Sequence, residues 1–132
     1  MRIGVNGFGR IGRRVARLIQ QREGMELVAI NDLSDAPTMA HLLKYDSVHG
    51  VAGYEVAADV KSISINGKKI PFHSESEPGN IPWDDYGVDF VIEATGSFKT
   101  ADHVSGHLKE GVRMVIFSAP TEDETSGQAW SR

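Results

Sequence analysis

The apolar positions of this chain switch repeatedly between two periods. Residues 2–6 form a short apolar run around Ile3 and Val5. Ile11, Val15, Leu18 and Ile19 then recur at i, i+4, i+7 and i+8. That spacing predicts a helix over 10–22, with these four residues inward and the arginines on the other face. Glu23-Gly24 ends it. The unbroken run 26–31 reads as a parallel strand covered on both faces. Ser34 or Asp35 can cap a second helix over about 37–44, with Pro37 near its first turn and Met39, Leu42 and Leu43 inward. Runs 54–60 and 62–66 are short strands, and Asn66-Gly67 predicts a tight turn into a third, 68–73. Segment 74–80 is a polar loop, and 81–86 forms a short turn around Trp83. A strand over 88–94 follows, then a turn at Thr95-Gly96-Ser97. A helix over 100–110 is stopped by Gly111, and 112–118 is a last apolar strand. The tail, 119–132, is polar and irregular. The alternation predicts an α/β fold: a doubly wound, mostly parallel sheet with right-handed crossovers and a small antiparallel excursion around 54–73.

The turn after the first run carries the clearest chemistry. Asn6-Gly7-Phe8-Gly9-Arg10-Ile11-Gly12 reads G-x-G-x-x-G between a strand and a helix, and Asp32 follows 20 residues after Gly12 at the end of the second strand. Gly7 permits a sharp turn. Gly9, without a side chain, lets a pyrophosphate approach the backbone, and Gly12 lets the helix pack closely on the sheet. The helix start then offers free N–H groups and a positive dipole end to phosphates. Asp32 can accept from both ribose hydroxyls of an adenosine, while its charge repels a 2′-phosphate. The pattern is that of a Rossmann-type dinucleotide site favouring NAD over NADP. In such sheets strand ends carry the ligand. Asn6-Gly7, Asn31-Asp32, Ala94-Thr95-Gly96 and Ser118-Ala119-Pro120 all fall on one edge.

Composition narrows the field. The chain has 132 residues, 40% hydrophobic and 24% charged, as a single soluble globular domain does. With no cysteine it has no disulfide, no cysteine metal site and no thiol nucleophile. No apolar run approaches the roughly 20 residues of a membrane span, and the first residues lack a signal-peptide pattern. The expected location is the cytoplasm. Net charge is −4, yet Arg2, Arg10, Arg13, Arg14, Arg17 and Arg22 bring +6 to the first 22 residues, leaving −10 on the other 110. A basic first helix suits phosphates, and the acidic remainder argues against nucleic-acid binding.

Other polar residues suggest little chemistry. His103 and His107 stand four apart on the expected helix, with Glu110 three further on, but the H-E-x-x-H pattern is missing, so a solvated helix face is the reading and no metal site is expected. His41, His49 and His73 are scattered, with no catalytic role. Asp84-Asp85 belong to a surface turn, and Glu122-Asp123-Glu124 form a solvated charge run.

Seven separate segments resemble glyceraldehyde-3-phosphate dehydrogenase, in that family's order. They are Asn6-Gly-Phe-Gly-Arg-Ile-Gly12 with Asn31-Asp32, Leu42-Leu-Lys-Tyr-Asp-Ser-Val-His-Gly50, Ile70-Pro-Phe-His73, Ile81-Pro-Trp83, Ala94-Thr-Gly-Ser-Phe98 and Ser118-Ala-Pro120. The resemblance covers about residues 1–125 as an NAD-binding domain, with 126–132 a divergent polar tail. Erythrose-4-phosphate dehydrogenase is a close alternative parent.

The resemblance implies site roles. The backbone of Arg10 and Ile11 would meet the pyrophosphate, and Asp32 the adenosine ribose. Thr95-Gly96 would lie near the adenine and ribose or the phosphates, and Ser118 near the nicotinamide. Many members carry an arginine in the adenine pocket; here the stretch is Glu75-Ser76-Glu77-Pro78. The family's Ser-Cys-Thr-Thr-Asn nucleophile, its activating histidine and its phosphate-binding second domain are absent, and hydride transfer from a thiohemiacetal needs that thiolate. This polypeptide by itself is therefore expected to bind NAD without oxidising an aldehyde phosphate. A second expectation is an interaction module that pairs with itself or with a full-length subunit through apolar surface.

Overall fold

A computed structural model describes residues 1–45, 55–96, 105–109, 111–117 and 129–131. Strand β1 (Arg2–Asn6) leads into helix α1 (Arg10–Gln20), then β2 (Glu26–Asn31) and α2 (Ala36–Tyr45). Strands β3 (Val56–Asp59), β4 (Ser62–Ile65) and β5 (Lys68–His73) follow, and then single 3₁₀ turns at Pro78–Asn80 and Trp83–Tyr86. Beyond them lie β6 (Phe90–Glu93), a 3₁₀ turn at Ser105–His107, β7 (Met114–Phe117) and β8 (Ala129–Ser131).

The described strands form one sheet in the order β3-β4-β5-β2-β1-β6-β7-β8. Its five central strands, β5-β2-β1-β6-β7, pair in parallel. Strands β3 and β4 extend it antiparallel on one side. The chain works outward from β1 through β2 to β5, then crosses back to β6 and β7 on the other side. The order therefore reverses at β1, and a crevice opens at the carboxyl ends of β1 and β6.

Most of the expected elements appear at or within about two residues of their expected bounds. Asn66 and Gly67 both take positive φ, 52° and 85°, and close the β4–β5 hairpin as the dipeptide predicts. Asp35 is the cap of α2: its Oδ1 accepts the Thr38 N–H at 2.7 Å. That bond lowers the carboxyl's pKa.

Other expectations change. In α1 the sheet-facing residues are Gly12, Arg13, Ala16 and Ile19, while Ile11 and Leu18 are 45% and 47% exposed. The cause is Gly12. A Cβ there would lie 1.9 Å from the Gly7 carbonyl oxygen, so this residue alone permits the contact and sets the rotation of the helix. Ala16 and Ile19 follow it at i+4 and i+7, and Ile11 is turned aside by 100°. Arg13 leaves the solvated face expected of the arginines and donates from Nη1 to the Phe8 carbonyl oxygen at 3.0 Å. In α2, Leu42 is exposed and Ala40 takes the inward place. Of the helix expected over 100–110, Ser105–His107 is a 3₁₀ turn, and 97–104 and 110 lie outside the described residues. The tail expected to be irregular contributes β8, paired antiparallel to β7 along its open backbone edge.

Two buried clusters sandwich the sheet. One joins Ile3, Val5, Leu27 and Ile30 to Ala16 and Ile19 of α1 and Met39 and Leu43 of α2. The other joins Ala29, Val91 and Val115 to Trp83, Val112 and Phe117. The register slips between Ile3 and Gly4, so that Gly4 faces Ala29, past Val28. Gly4 leaves space for the Trp83 ring; a Cβ there would lie 2.5 Å from it.

Gly12→Ala is expected to destabilise the fold by at least about 2 kcal/mol, because the methyl meets unyielding backbone. Gly9→Ala, at a position with no neighbour within 4 Å, is expected to cost about 1 kcal/mol or less. Urea unfolding of the two variants separates them; equal losses would contradict the packing role of Gly12.

Candidate functional site

A cavity of about 270 Å³ occupies the crevice, lined by Asn6, Gly7, Gly9, Asn31, Asp32, Leu33, Glu75, Ser76, Ala94 and Thr95. Three strand ends converge there: β1, β2 and β6. The glycine turn is wedged among them. Gly7 takes φ 96°, and a Cβ on it would lie 2.6 Å from the Thr95 nitrogen. Its N–H donates to the Asn31 carbonyl oxygen at 2.7 Å. Only glycine meets both conditions.

Gly9 caps α1 in extended backbone, with no side-chain cap on the helix and no acid in its first turn. The first N–H groups of a helix lack intrahelical partners, so the start of α1 retains donors for an anion. Asp32 lines the cavity beside the glycine turn, half-buried. Its Oδ2 accepts the Phe8 N–H at 2.6 Å and its Oδ1 the Ser34 N–H at 2.8 Å. These bonds tie the glycine turn to the end of β2. A carboxylate oxygen takes more than one donor, so Asp32 keeps acceptor capacity toward the cavity.

Asn31 fixes a further wall. Its Nδ2 donates to Asn6 Oδ1 at 2.8 Å and to the Glu75 carbonyl oxygen at 3.0 Å. Its Oδ1 accepts the Glu75 N–H at 2.8 Å. The side-chain amide thus pairs with the backbone of Glu75 as another strand would, and holds the 75–76 segment over the pocket.

The site residues read from the sequence divide into groups. Asn6, Gly7, Gly9, Asn31, Asp32 and Thr95 line the cavity. Gly12 does not line it and packs against the Gly7 backbone. Phe8 turns its ring into the core at 0% exposure and offers only backbone. Arg10 and Ile11 open α1 and are exposed. Gly96, at φ 74°, is exposed beyond Thr95. Ser118 lies outside the described residues. Leu33 and Ala94 line the pocket as immediate neighbours of residues already singled out.

One residue overturns its expected setting. His107, read as part of a solvated helix face, is 0% exposed and bonded to Trp83 and Glu93. Its partner in the metal reading, His103, is outside the described residues. Among the described residues no group of three His, Cys, Asp or Glu side chains could hold a metal. Nor is any described helix long and apolar enough to cross a membrane. Asp84 and Asp85 are exposed on their turn, as expected.

A family model described as glyceraldehyde 3-phosphate dehydrogenase, NAD binding domain, matches residues 1–101. The chain belongs to this family. It is 52% identical over 123 residues to glyceraldehyde-3-phosphate dehydrogenase 1 of Bacillus cereus, covering 93% of this chain and 37% of the relative. It is 47% identical over 124 residues to the Geobacillus stearothermophilus enzyme, covering 94% and 37%. With the Thermotoga maritima enzyme the identity is 48% over 125 residues, covering 93% and 38%. The chain thus spans a little over a third of the length of the glyceraldehyde-3-phosphate dehydrogenases it matches. Its glycine turn, Asp32 and the cavity they line all fall inside the matched domain.

Beside the crevice, His73 ends β5 with its Nε2 2.7 Å from the Tyr86 hydroxyl. Burial lowers the His73 pKa, against the opposing pull of Glu75 and Asp85. Its neutral form is favoured in the fold, so the unfolded chain binds a proton first as pH falls. The His73 contribution to stability is therefore intact above the ordinary value of 6.5 and is lost as pH drops below it, levelling off under the lowered folded value. Urea midpoints between pH 8 and 5 should fall less steeply in His73→Gln than in the parent chain; parallel curves would refute this.

Proposed function

We propose that this domain binds NAD in the crevice, with the pyrophosphate at the start of α1 and the adenosine ribose on Asp32. The carrying observation is the uncapped helix start at Gly9, which opens onto the cavity that Asp32 lines. The residues fit the group. Gly9 has open space where a Cβ would stand, backbone N–H groups suit phosphate oxygens, and a carboxylate suits a pair of vicinal hydroxyls. Thr95 and the 75–76 segment bound the adenosine end. In this reading Arg10 and Ile11 act through their backbone, Gly96 borders the same end, and Ser118 approaches the nicotinamide.

When bound, NAD supplies a hydride acceptor. In a longer protein of this family the parent reaction is oxidation of an aldehyde phosphate to an acyl phosphate, and erythrose 4-phosphate is the alternative to glyceraldehyde 3-phosphate. The thiol nucleophile of that reaction has to come from elsewhere, because these 132 residues include no cysteine. By itself the chain is a cofactor-binding unit, and its setting in this reading is the cytoplasm.

A second reading, self-association or pairing with a full-length subunit, draws on the exposed apolar flank of α1 formed by Ile11 and Leu18. Sedimentation at micromolar concentration tests it: a dimer that Leu18→Asp dissolves supports it, and a monomer throughout excludes self-pairing.

Calorimetry tests the leading reading. Saturable NAD binding is expected, and none at millimolar NAD would end it. Gly9→Ala should keep the fold and lower NAD affinity about tenfold or more, through close contact with phosphate. Asp32→Ala should weaken NAD by about tenfold or more, as loss of hydrogen bonds to a charged group does, and narrow the preference over NADP. An unchanged NAD-to-NADP ratio would remove Asp32 from the ribose site.

A further inference from the structure

Beneath the cavity runs a buried side-chain network that the dinucleotide motif does not include. Glu93 ends β6 at 1% exposure. Its Oε1 accepts Asn6 Nδ2–H at 2.7 Å and lies 2.8 Å from His107 Nε2. Its Oε2 accepts the Thr95 N–H at 3.0 Å and the Thr95 hydroxyl proton at 2.6 Å. On the far side, Trp83 Nε1–H donates to His107 Nδ1 at 2.9 Å.

Donor counting settles the proton on His107. An indole N–H only donates, so Nδ1 is an acceptor. An imidazole with Nδ1 as acceptor is neutral and carries its proton on Nε2, directed at Glu93. Asn6 Nδ2, 3.5 Å from that nitrogen, is itself a donor, so the pair is a packing contact. Among the described residues Glu93 thereby receives at least these four donors, the pattern of a carboxylate, which only accepts. The Thr95 hydroxyl has one proton, and it goes to Glu93. Toward any other group that hydroxyl is an acceptor.

We propose that Trp83, His107 and Glu93 are positioning residues for the cofactor. Trp83 sets the tautomer of His107; His107 and Asn6 hold the Glu93 carboxylate; Glu93 turns the Thr95 hydroxyl. The crevice thus presents an acceptor at Thr95 to a hydrogen-bond donor of the adenosine half, a ribose hydroxyl or the adenine amino group, and disfavours a phosphate oxygen at that spot. The proposal rests on the NAD reading above. The same contacts join the ends of β1 and β6 to two 3₁₀ turns far apart in sequence, so the acceptor is held by a rigid frame. A buried network of this kind is stable only when every member is satisfied.

Two measurements test it. Long-range ¹⁵N–¹H NMR of the full 132-residue chain without ligand should find His107 as the neutral Nε2–H tautomer at neutral pH. An Nδ1–H tautomer or an imidazolium overturns the proposal whether or not NAD binds. The second is a double-mutant cycle of Glu93→Gln and Thr95→Val, read as NAD affinity on chains shown to be folded by circular dichroism. Each single substitution should weaken NAD about tenfold, and the pair no more than about twofold beyond the weaker single. Additive losses overturn the proposal, since a purely structural Glu93 has no reason to couple to the Thr95 hydroxyl. Where Glu93→Gln fails to fold, His107→Gln, which returns a donor near Nε2, should stay within about threefold of the parent chain. His107→Leu should lose about tenfold, and equal affinities of these two overturn it. Absence of NAD binding by the parent chain itself defeats the NAD reading and with it the cofactor role, while the tautomer result separately decides the hydrogen-bond frame.

Discussion

Much of the architecture depends on one close contact, that of Gly12 with the backbone of Gly7. No other side chain fits between them. Because they touch, the rotation of α1 on the sheet is set, and Ala16 and Ile19 become its buried stripe. The helix starts at Gly9, which lines the cavity and leaves the first turn without a side-chain cap. Gly7 transmits the same constraint sideways, since its φ of 96° and its approach to Thr95 bring the turn after β1 against the turn after β6. One tight turn thus positions the helix start and the neighbouring strand end together.

Where the parallel ladder stops, side chains continue it. Asn6, Asn31 and Glu93 are the final residues of β1, β2 and β6, and all three are almost fully buried. Buried polar groups are costly unless satisfied. Here they satisfy one another across neighbouring strands, and Asn31 extends the pattern to the backbone of Glu75. Asp32, one residue further along, joins the glycine turn in the same way. The floor of the cavity is therefore rigid without a ligand, which limits the ordering cost that binding carries.

Membership of the glyceraldehyde-3-phosphate dehydrogenase family is consistent with this division of labour. The matched domain contains every residue described as lining the cavity, and the relatives are nearly three times as long as the stretch they share with the chain. Holding a nucleotide needs backbone geometry and one acid. These residues include no cysteine thiol.

Local signals were sufficient for the strands, the first turn and the acid. A G-x-G-x-x-G between a strand and a helix states its own geometry, because glycine is the only residue for which backbone freedom and close approach are legible in its identity. The Asn66-Gly67 hairpin and the Asp35 cap were equally readable, since each acts within a few residues of itself. The hydrophobic period of α1 announced a helix but not its orientation. Four apolar residues and five arginines fit several rotations, and the choice was made by backbone from another element. His107 shows the same limit more sharply. In sequence it is one histidine four places from another; its burial comes from Trp83 and Glu93, 24 and 14 residues away. A lone acid at the end of an apolar strand gives no sign of its partners. The sequence by itself determined the fold class, the glycine turn and the family. Only the tertiary structure decided which polar residues meet beneath the crevice, because such contacts join distant strand ends and have no period along the chain.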